Sequence, residues 1–225
     1  MTRRTSAAVA GATYLAYIAV AFPSMVLFGR ATRGDTPAAQ LASIAQHTTD
    51  MRLTIVLGVL SSFCAVVLAV TLYAITRDED RELALLGFAC RLGEGLVGFV
   101  PFTTLGLLWL AKSSGSPTPD AASAATLATY LMKVGTWQTT SGALLFAVGS
   151  TAFSYLLLRG RMVPVALAWL GVIASAALVV VLPLQLAELT GPPNGLIWIP
   201  IAAFEITLAF WLMIKGVAPA RSRTA

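Results

Sequence analysis

The sequence predicts an all-α integral membrane protein, a bundle of six transmembrane helices. The 225-residue chain is 57% hydrophobic and only 11% charged, whereas an ordinary soluble domain is roughly 25% charged. Its charges lie in short clusters between apolar runs of about 20 residues, the length that crosses a bilayer core of roughly 30 Å. This composition excludes a cytosolic enzyme, a disordered chain and a disulfide-stapled secreted module.

Six apolar segments are long enough to be spans: residues 7–28, 53–76, 83–111, 135–158, 162–182 and 196–214. The second and fifth contain no charged residue, so they cannot be amphipathic surface helices. The first resembles a signal peptide, but its apolar part of about 20 residues is too long for a signal core. We therefore expect residues 1–225 to form a single transmembrane domain.

The basic residues predict the orientation. With the N-terminus inside, nine of them fall on the cytoplasmic side and four or five on the outer side. The inner nine are Arg3, Arg4, Arg77, Arg81, Arg159, Arg161, Lys215, Arg221 and Arg223. By the positive-inside rule, this asymmetry places both termini in the cytoplasm and makes three hairpins with their loops outside.

Two outer loops contain helix-start signals. Thr36-Pro37 and Thr118-Pro119 each place a capping hydroxyl before a proline in the first turn. The Ala-rich segments that follow, 38–46 and 120–132, are predicted to be short helices at the outer surface. The last outer loop, residues 191–195, has the composition of a turn.

Known catalytic and metal-binding patterns are absent from the sequence. One histidine, His47, gives neither bis-histidine haem ligation nor a zinc site, so no cofactor or metal is expected. Cys64 and Cys90 are typical of small apolar packing residues. No hydrolase, kinase or dinucleotide motif occurs, which makes an enzyme the less favoured class.

Charged residues inside the predicted spans are the strongest functional signal. Insertion scales assign roughly 2.5–3.5 kcal/mol to an Arg, Lys or Asp at a helix centre. Arg91 and Glu94 in the third span lie three residues apart, on one helix face, where they can pair. Helical rise places Arg91 roughly 13 Å, Glu94 roughly 18 Å and Glu205 roughly 15 Å from the cytoplasmic end. The three are therefore predicted to share one level of the bundle.

The same count places Tyr14 and Tyr17 of the first span, with Cys64 and Ser150, close to this level. We therefore predict a polar layer formed mainly by the first, third and sixth spans.

Glycines and prolines surround the predicted layer. Gly93, Gly95 and Gly98 thin one stretch of the third span and permit close helix approach or a cavity. Pro101 and Pro200 each remove a backbone hydrogen bond, and we expect them to kink the third and sixth spans near the charges.

Two functions from different classes fit this layer. In a binding or carrier protein, Arg91 would hold an anionic or polar group of a lipid or small molecule, beside Tyr14, and Glu94 and Glu205 would set its charge or carry protons. In a structural or partner-binding protein, Arg91 and Glu94 would neutralise each other, with Arg91 snorkelling towards the cytoplasm. Glu205, protonated or hydrogen-bonded to Arg91 or Tyr14, would then lock helix packing.

An intramembrane enzyme is the third hypothesis. Two carboxylates can do acid–base work, but no nucleophile or metal set accompanies them. The expected partners are the lipid bilayer and a lipid or small-molecule ligand, with no nucleic acid, and an oligomer is left open.

Short motifs along most of the chain resemble those of one family. The first half contributes Gly11 with Tyr14-Leu15, Gly34-Asp35, Leu72-Tyr73, LALL at 83–86 and Arg91-Leu92. The second half contributes YLLLRG at 155–160, Pro164 with Leu170-Gly171, and Pro200 through Glu205 to FWLMIKG at 210–216.

Over residues 8 to 217, this pattern resembles a bacterial multi-pass membrane family catalogued as a domain of unknown function, number four-three-eight-six. The chain departs from the family pattern at Val165, since family members often have arginine directly after the proline that corresponds to Pro164. The resemblance implies a six-helix membrane protein and a place for Arg91 and Glu205 in the family pattern. We expect the protein to lie in the bacterial inner membrane. It implies no activity. The excess of twelve Arg over three Lys is also compatible with a high-GC bacterium.

Overall fold

A computed structural model of the chain describes residues 2–112, 119–191 and 195–218. Over these residues the chain forms α-helices and one short 3₁₀ helix, Gly195–Trp198. The α-helices are α1 Arg3–Ala31, α2 Pro37–Gln46, α3 Thr48–Thr76, α4 Arg81–Phe99, α5 Phe102–Lys112, α6 Ala121–Arg159, α7 Val165–Leu186 and α8 Ile199–Ile214.

Six helical stretches of the described chain are long and apolar enough to cross a membrane. They are α1, α3, α4 with α5 as one span (Arg81–Lys112), α6, α7, and α8 with its preceding 3₁₀ turn (Gly195–Ile214). The predicted all-α bundle of six transmembrane helices is therefore confirmed, and each helix covers most of the segment predicted for it. The assignment of residues 1–225 to a single domain stays a prediction.

The six spans pack as a closed ring in chain order. Helix α1 contacts α3 and α8, α4 lies between α3 and α6, and α7 packs on both α6 and α8. Apolar side chains from α1, α3, α4, α6, α7 and α8 fill the interior as one buried cluster. In a membrane, where lipid and core are equally apolar, such contacts gain from close packing rather than from removal of water.

Both described chain ends lie at one end of the ring. The Arg3 guanidinium donates to the Ile75 carbonyl (2.8 Å), and the Ala218 amide donates to the Met162 carbonyl (3.1 Å). At the same end, Arg159 forms ion pairs with Glu79 and Asp80 (3.3 and 3.1 Å). The turn before α4 and the turn after α6 therefore meet the two chain ends on one side.

Asp80 is the N-cap of α4. Its Oδ1 accepts from the Leu83 amide at 3.1 Å, and this backbone hydrogen bond, with the nearby Arg159 charge, lowers the pKa of the Asp80 carboxyl. A capping carboxylate at a helix N-terminus is also favoured by the helix dipole. The start of this span is thus defined by a side chain that lies outside it.

The opposite end of the ring carries a second, smaller apolar cluster. Its buried members include Ala31, Ile44, Met51, Leu107 and Ala128, which come from α1, α2, α3, α5 and α6. Helix α2 reaches this cluster through Ile44. The predicted cap of α2 is confirmed, since Thr36 Oγ1 accepts from the Ala39 amide at 3.2 Å.

The second predicted surface helix does not exist as a separate element. Residues 121–132 are the first turns of α6, which continues to Arg159 over 39 residues. Asp120 caps it by accepting from the Ser123 amide at 2.8 Å, and its Ala-rich start has no residue that would stop a helix. The predicted cap Thr118 lies outside the described residues, as do residues 192–194 of the predicted last turn.

The two prolines near the charges act differently. Val100 adopts an extended conformation (φ −110°, ψ 108°) before Pro101, so the third span breaks there into α4 and α5. The predicted disruption at Pro101 is confirmed. The predicted kink at Pro200 is wrong, because Pro200 lies in the first turn of α8, where its missing N–H has no intrahelical role.

Candidate functional site

Three charged side chains are buried in the interior of the ring. Arg91 is 0% exposed, Glu205 is 6% exposed and Glu94 is 9% exposed. Arg91 and Glu94 lie on α4 and Glu205 lies on α8, which are not neighbours in the ring. Charges are rarely buried to this degree unless they are paired or hydrogen-bonded, so the partners of each one define what the site can do.

Arg91 and Glu94 form the predicted intrahelical pair. Arg91 Nη1 lies 2.9 Å from Glu94 Oε2, and the Tyr17 hydroxyl of α1 donates to Glu94 Oε1 at 2.9 Å. Both carboxylate oxygens of Glu94 are therefore occupied, one by a cation and one by a neutral donor. The alternative in which Arg91 snorkels to the surface is wrong, because no part of its side chain is exposed.

Aromatic rings surround the Arg91 guanidinium. Its Cζ atom lies 4.8 Å from the ring centroid of Phe146, 5.9 Å from that of Tyr17 and 6.0 Å from that of Tyr14. A guanidinium within about 6 Å of an aromatic face is attracted by the ring quadrupole. The rings from α1 and α6 thus replace part of the hydration that burial removes.

A glycine on α6 makes room for the Arg91 side chain. A Cβ atom built at Gly149 would lie 2.9 Å from Arg91 Cγ and 3.1 Å from the Gly87 carbonyl oxygen of α4. No ordinary side chain fits such a gap without movement of the neighbours. The close approach of α4 and α6 is therefore specific to glycine at this position.

Part of the polar layer has no hydrogen-bond partner. Arg91 Nε and Nη2 are buried and unpaired in the described structure, and so is Glu205 Oε1. Glu205 interacts electrostatically with both Arg91 and Glu94, yet within the described residues it hydrogen-bonds neither Arg91 nor Tyr14. The layer thus combines one ion pair, Arg91 with Glu94, and three buried atoms without a hydrogen-bond partner. These are two donor nitrogens of Arg91 and one acceptor oxygen of Glu205.

The predicted layer is therefore only partly assembled by direct contacts. The structure brings Arg91, Glu94 and Tyr14 together and places Glu205 within electrostatic range. Ser150 is buried and Cys64 is half-buried. Across the described structure, neither of these last two forms a hydrogen bond with the three charged side chains.

The profile of one protein family matches residues 9–216 of the chain, and the family is described as Domain of unknown function (DUF4386). The chain belongs to this family. The DUF4386 match includes all three buried charges and all six spans except the first residues of α1, and it confirms the family resemblance of the sequence motifs. No curated protein and no solved structure matched the chain.

Sequence reasoning on this DUF4386 member misses three contacts of the layer and its surroundings. Counting residues places Tyr17 at the right depth but does not predict its bond to Glu94, although Tyr14 and Tyr17 share a helix face. Phe146 carries no sequence signal among many apolar residues. Gln138 Nε2 donates to the Val97 carbonyl at 2.6 Å, and a signal for this contact exists, since Pro101 has no N–H for that carbonyl.

The chemistry available at the layer is hydrogen bonding and charge rather than metal coordination. In the part of the chain that the structure describes, no three His, Cys, Asp or Glu side chains are grouped to hold a metal ion. Two guanidinium nitrogens can donate to one acceptor group in a fixed fork. A carboxylate oxygen beside them can accept from a donor or take up a proton.

Proposed function

We propose that this protein binds or carries a small polar or anionic group, free or as part of a lipid, at the intramembrane layer of Arg91, Glu94 and Glu205. One observation carries the proposal: Arg91 is fully buried with only one of its three guanidinium nitrogens hydrogen-bonded. An unsatisfied buried donor costs about 1–3 kcal/mol, and more when the group is charged. A bound acceptor would remove that cost.

The atoms without a hydrogen-bond partner, Arg91 Nε and Nη2 and Glu205 Oε1, indicate the class of ligand. An oxygen acceptor such as a carboxylate, phosphate or carbonyl suits the Nε and Nη2 donors of Arg91. A hydroxyl or amine on the same molecule suits Glu205 Oε1. Because Glu94 already neutralises Arg91, the ionisation of Glu205 decides whether the empty layer is neutral or negative, and a proton on Glu205 would accompany an anionic ligand.

A second function is favoured by a different observation. In the chain from Tyr17 through Glu94 to Arg91, both carboxylate oxygens of Glu94 have partners. Arg91 is also held against Phe146 and Gly149. Such a network would lock α1, α4 and α6 together without any ligand. In this structural role, Glu205 would fix α8 against the same group through its charge.

We also propose a location, the bacterial inner membrane, with both termini cytoplasmic. Support comes from the excess of basic residues near the predicted inner ends and from the meeting of both described chain ends at the Arg159 side. The bilayer is then the surrounding partner, and this location is compatible with both a monomer and an oligomer.

A thermal melt in mild detergent separates the two functions. If the layer binds a ligand, Glu205→Leu should melt higher than wild type, because an unpaired carboxylate kept for function reduces stability. Glu94→Leu should melt several degrees lower in either case, since removing one partner of a buried pair costs about 3–5 kcal/mol. The exposed Glu82→Leu is the matched control for adding an apolar side chain.

A lower melting temperature for Glu205→Leu would instead show that this carboxylate is part of a satisfied packing network. Native mass spectrometry of the same preparations gives an independent readout. The binding function predicts a small adduct that wild type retains and Arg91→Lys loses, because lysine cannot present the same two-nitrogen fork.

A further inference from the structure

A cleft of about 670 Å³ lies at the end of the ring opposite Arg159. It is formed where the last turns of α1 face α2 and the start of α3, and it contains apolar and basic side chains together. The apolar members are Met25 and Val26, and the basic members are Arg30, Arg33 and His47. None of these residues belongs to the polar layer described above.

The basic side of the cleft has more positive than negative charge. Arg30 Nε lies 3.3 Å from Asp50 Oδ2, which uses one of its nitrogens and compensates one charge. Arg33 forms no ion pair within the described chain. The His47 ring contacts the Ser43 carbonyl through Nδ1 at 2.9 Å, which holds the ring in the cleft wall. One full positive charge is left for an anion.

The order of side chains along α1 matches the order of groups in a phospholipid. Met25 and Val26 are 64% and 51% exposed, and helical rise places Arg30 about 6 Å beyond Val26 along the axis. Apolar contact followed by a guanidinium is the arrangement that would meet an acyl chain and then its phosphate. A free inorganic anion would use only the basic half.

Gly29 lies in the wall of the cleft. A Cβ atom built at this position has no heavy atom within 4 Å, unlike the glycines at helix crossings. Gly29 is an exposed residue of the cleft wall, so a larger side chain can be placed there without a clash in the protein.

We propose that this cleft binds the phosphate of an anionic membrane lipid, with Arg30 and Arg33 on the headgroup and Met25 and Val26 along the start of an acyl chain. This site is independent of the proposed function of the intramembrane layer. The lipid would occupy the edge of the ring, between α1 and α2, and would stabilise the contact between those helices.

The test is the melting temperature of the detergent-solubilised full chain with three additives: short-chain phosphatidylglycerol, short-chain phosphatidylcholine and inorganic phosphate. We expect phosphatidylglycerol to raise the melting temperature by several degrees, and the other two to have little effect at equal concentration. An equal rise with inorganic phosphate would show a free-anion site and overturn the lipid assignment. An equal rise with phosphatidylcholine would overturn the role of the charge.

Three variants locate the effect. Gly29→Leu adds a large side chain to the cleft wall, and Arg33→Gln removes the unpaired positive charge of the cleft. Each variant should therefore lose most of the rise in melting temperature that phosphatidylglycerol causes. Arg52→Gln is the matched control, because Arg52 is an exposed arginine on α3 that does not line the cleft. The proposal would be overturned if phosphatidylglycerol raised the melting temperature of both cleft variants as much as that of wild type. It would also be overturned if Arg52→Gln lost this rise to the same extent as the cleft variants. The polar-layer variant Glu205→Leu should keep the shift.

Discussion

At the scale of single residues, the burial of Arg91 depends on what its neighbours lack as much as on what they supply. Glu94 and the rings of Phe146 and Tyr17 compensate the charge. Gly149 provides the volume, since its missing side chain is the space that Arg91 Cγ borders. The burial of Arg91 therefore depends on a glycine of another helix, Gly149, which lies 58 positions away in the sequence.

Gly149→Ala should destabilise the protein, although alanine is the better helix former. The added methyl group would lie 2.9 Å from Arg91 Cγ and 3.1 Å from a backbone oxygen, and overpacking of this kind costs about 1–3 kcal/mol. Thermal melts in one detergent measure the effect.

Gly58→Ala is the matched control, because a Cβ atom there meets nothing within 4 Å. It should be neutral or stabilising by about 0.5–1 kcal/mol, through helix propensity alone. Equal melting temperatures for the two alanine variants would contradict the assigned role of Gly149.

At the scale of elements, the third span shows how a broken transmembrane helix is kept satisfied. Pro101 has no N–H to donate to the Val97 carbonyl, and unpaired backbone groups are costly inside a bilayer. Gln138 of α6 supplies the missing donor at 2.6 Å. The break between α4 and α5 is therefore a feature of two helices together rather than a local defect of one.

Gln138→Ala should lower stability by about 1–3 kcal/mol, the cost of leaving the partly buried Val97 carbonyl unpaired within a membrane span. In a Pro101→Ala background the same change should cost less, because an alanine at that position has an amide N–H that can donate to the Val97 carbonyl in a continuous helix. A double-mutant cycle of melting or denaturant stability measures this coupling.

Gln46→Ala controls for the loss of an exposed glutamine, since Gln46 lies at the surface of α2. If Gln138→Ala costs the same with and without the proline, the side chain has another role and the compensation argument is wrong.

The elements also show which parts of the fold can be predicted from the sequence. Charge-free or nearly charge-free apolar runs define a span whatever its partners, so all six are predicted. The Thr36 cap and the Arg91–Glu94 pair are predicted because they depend on residues three positions apart. A helix is predicted over residues 120–132, but its continuity with the fourth span is not, because a helix can continue past the membrane surface when nothing stops it.

The site is less predictable than the spans. Depth along a helix follows from counting residues, so Arg91, Glu94 and Glu205 are expected at one level. The rotation of each helix about its axis does not follow from counting. The hydrogen bond from Tyr17 to Glu94 and the contact of Phe146 with Arg91 depend on that rotation and on the order of the helices around the ring. Both contacts are therefore visible only in the three-dimensional structure.

At the scale of the whole molecule, the closed ring gives the protein two unlike ends. One carries the ion pairs of Arg159 and both described chain ends. The other carries the second apolar cluster, the cleft lined by Arg30 and Arg33, and the start of α6. At about 1.5 Å per residue, the 39 residues of α6 make a helix roughly 58 Å long, longer than a bilayer core of roughly 30 Å requires.

Cysteine labelling tests which end faces the cytoplasm. In a chain with Cys64 and Cys90 replaced by alanine, Asp35→Cys should react with a membrane-impermeant maleimide in intact spheroplasts. Asp78→Cys should react only after the membrane is permeabilised. Both aspartates are exposed, at opposite ends of the ring, so each is the control for the other. The reverse pattern would overturn the assignment of cytoplasmic termini.

The placement of Arg91 and Glu94 on one helix also bears on how the chain enters the membrane during synthesis. The two side chains can neutralise each other within α4 before any neighbour is in place, so this span can leave the insertion machinery as a neutral unit. The Tyr17 hydroxyl is already present on α1, which is made earlier. Glu205 arrives with the last helix, when Glu94 has already neutralised Arg91, so the charge of Glu205 is left for a proton to neutralise. The order of residues in the chain is thus also an order of neutralisation.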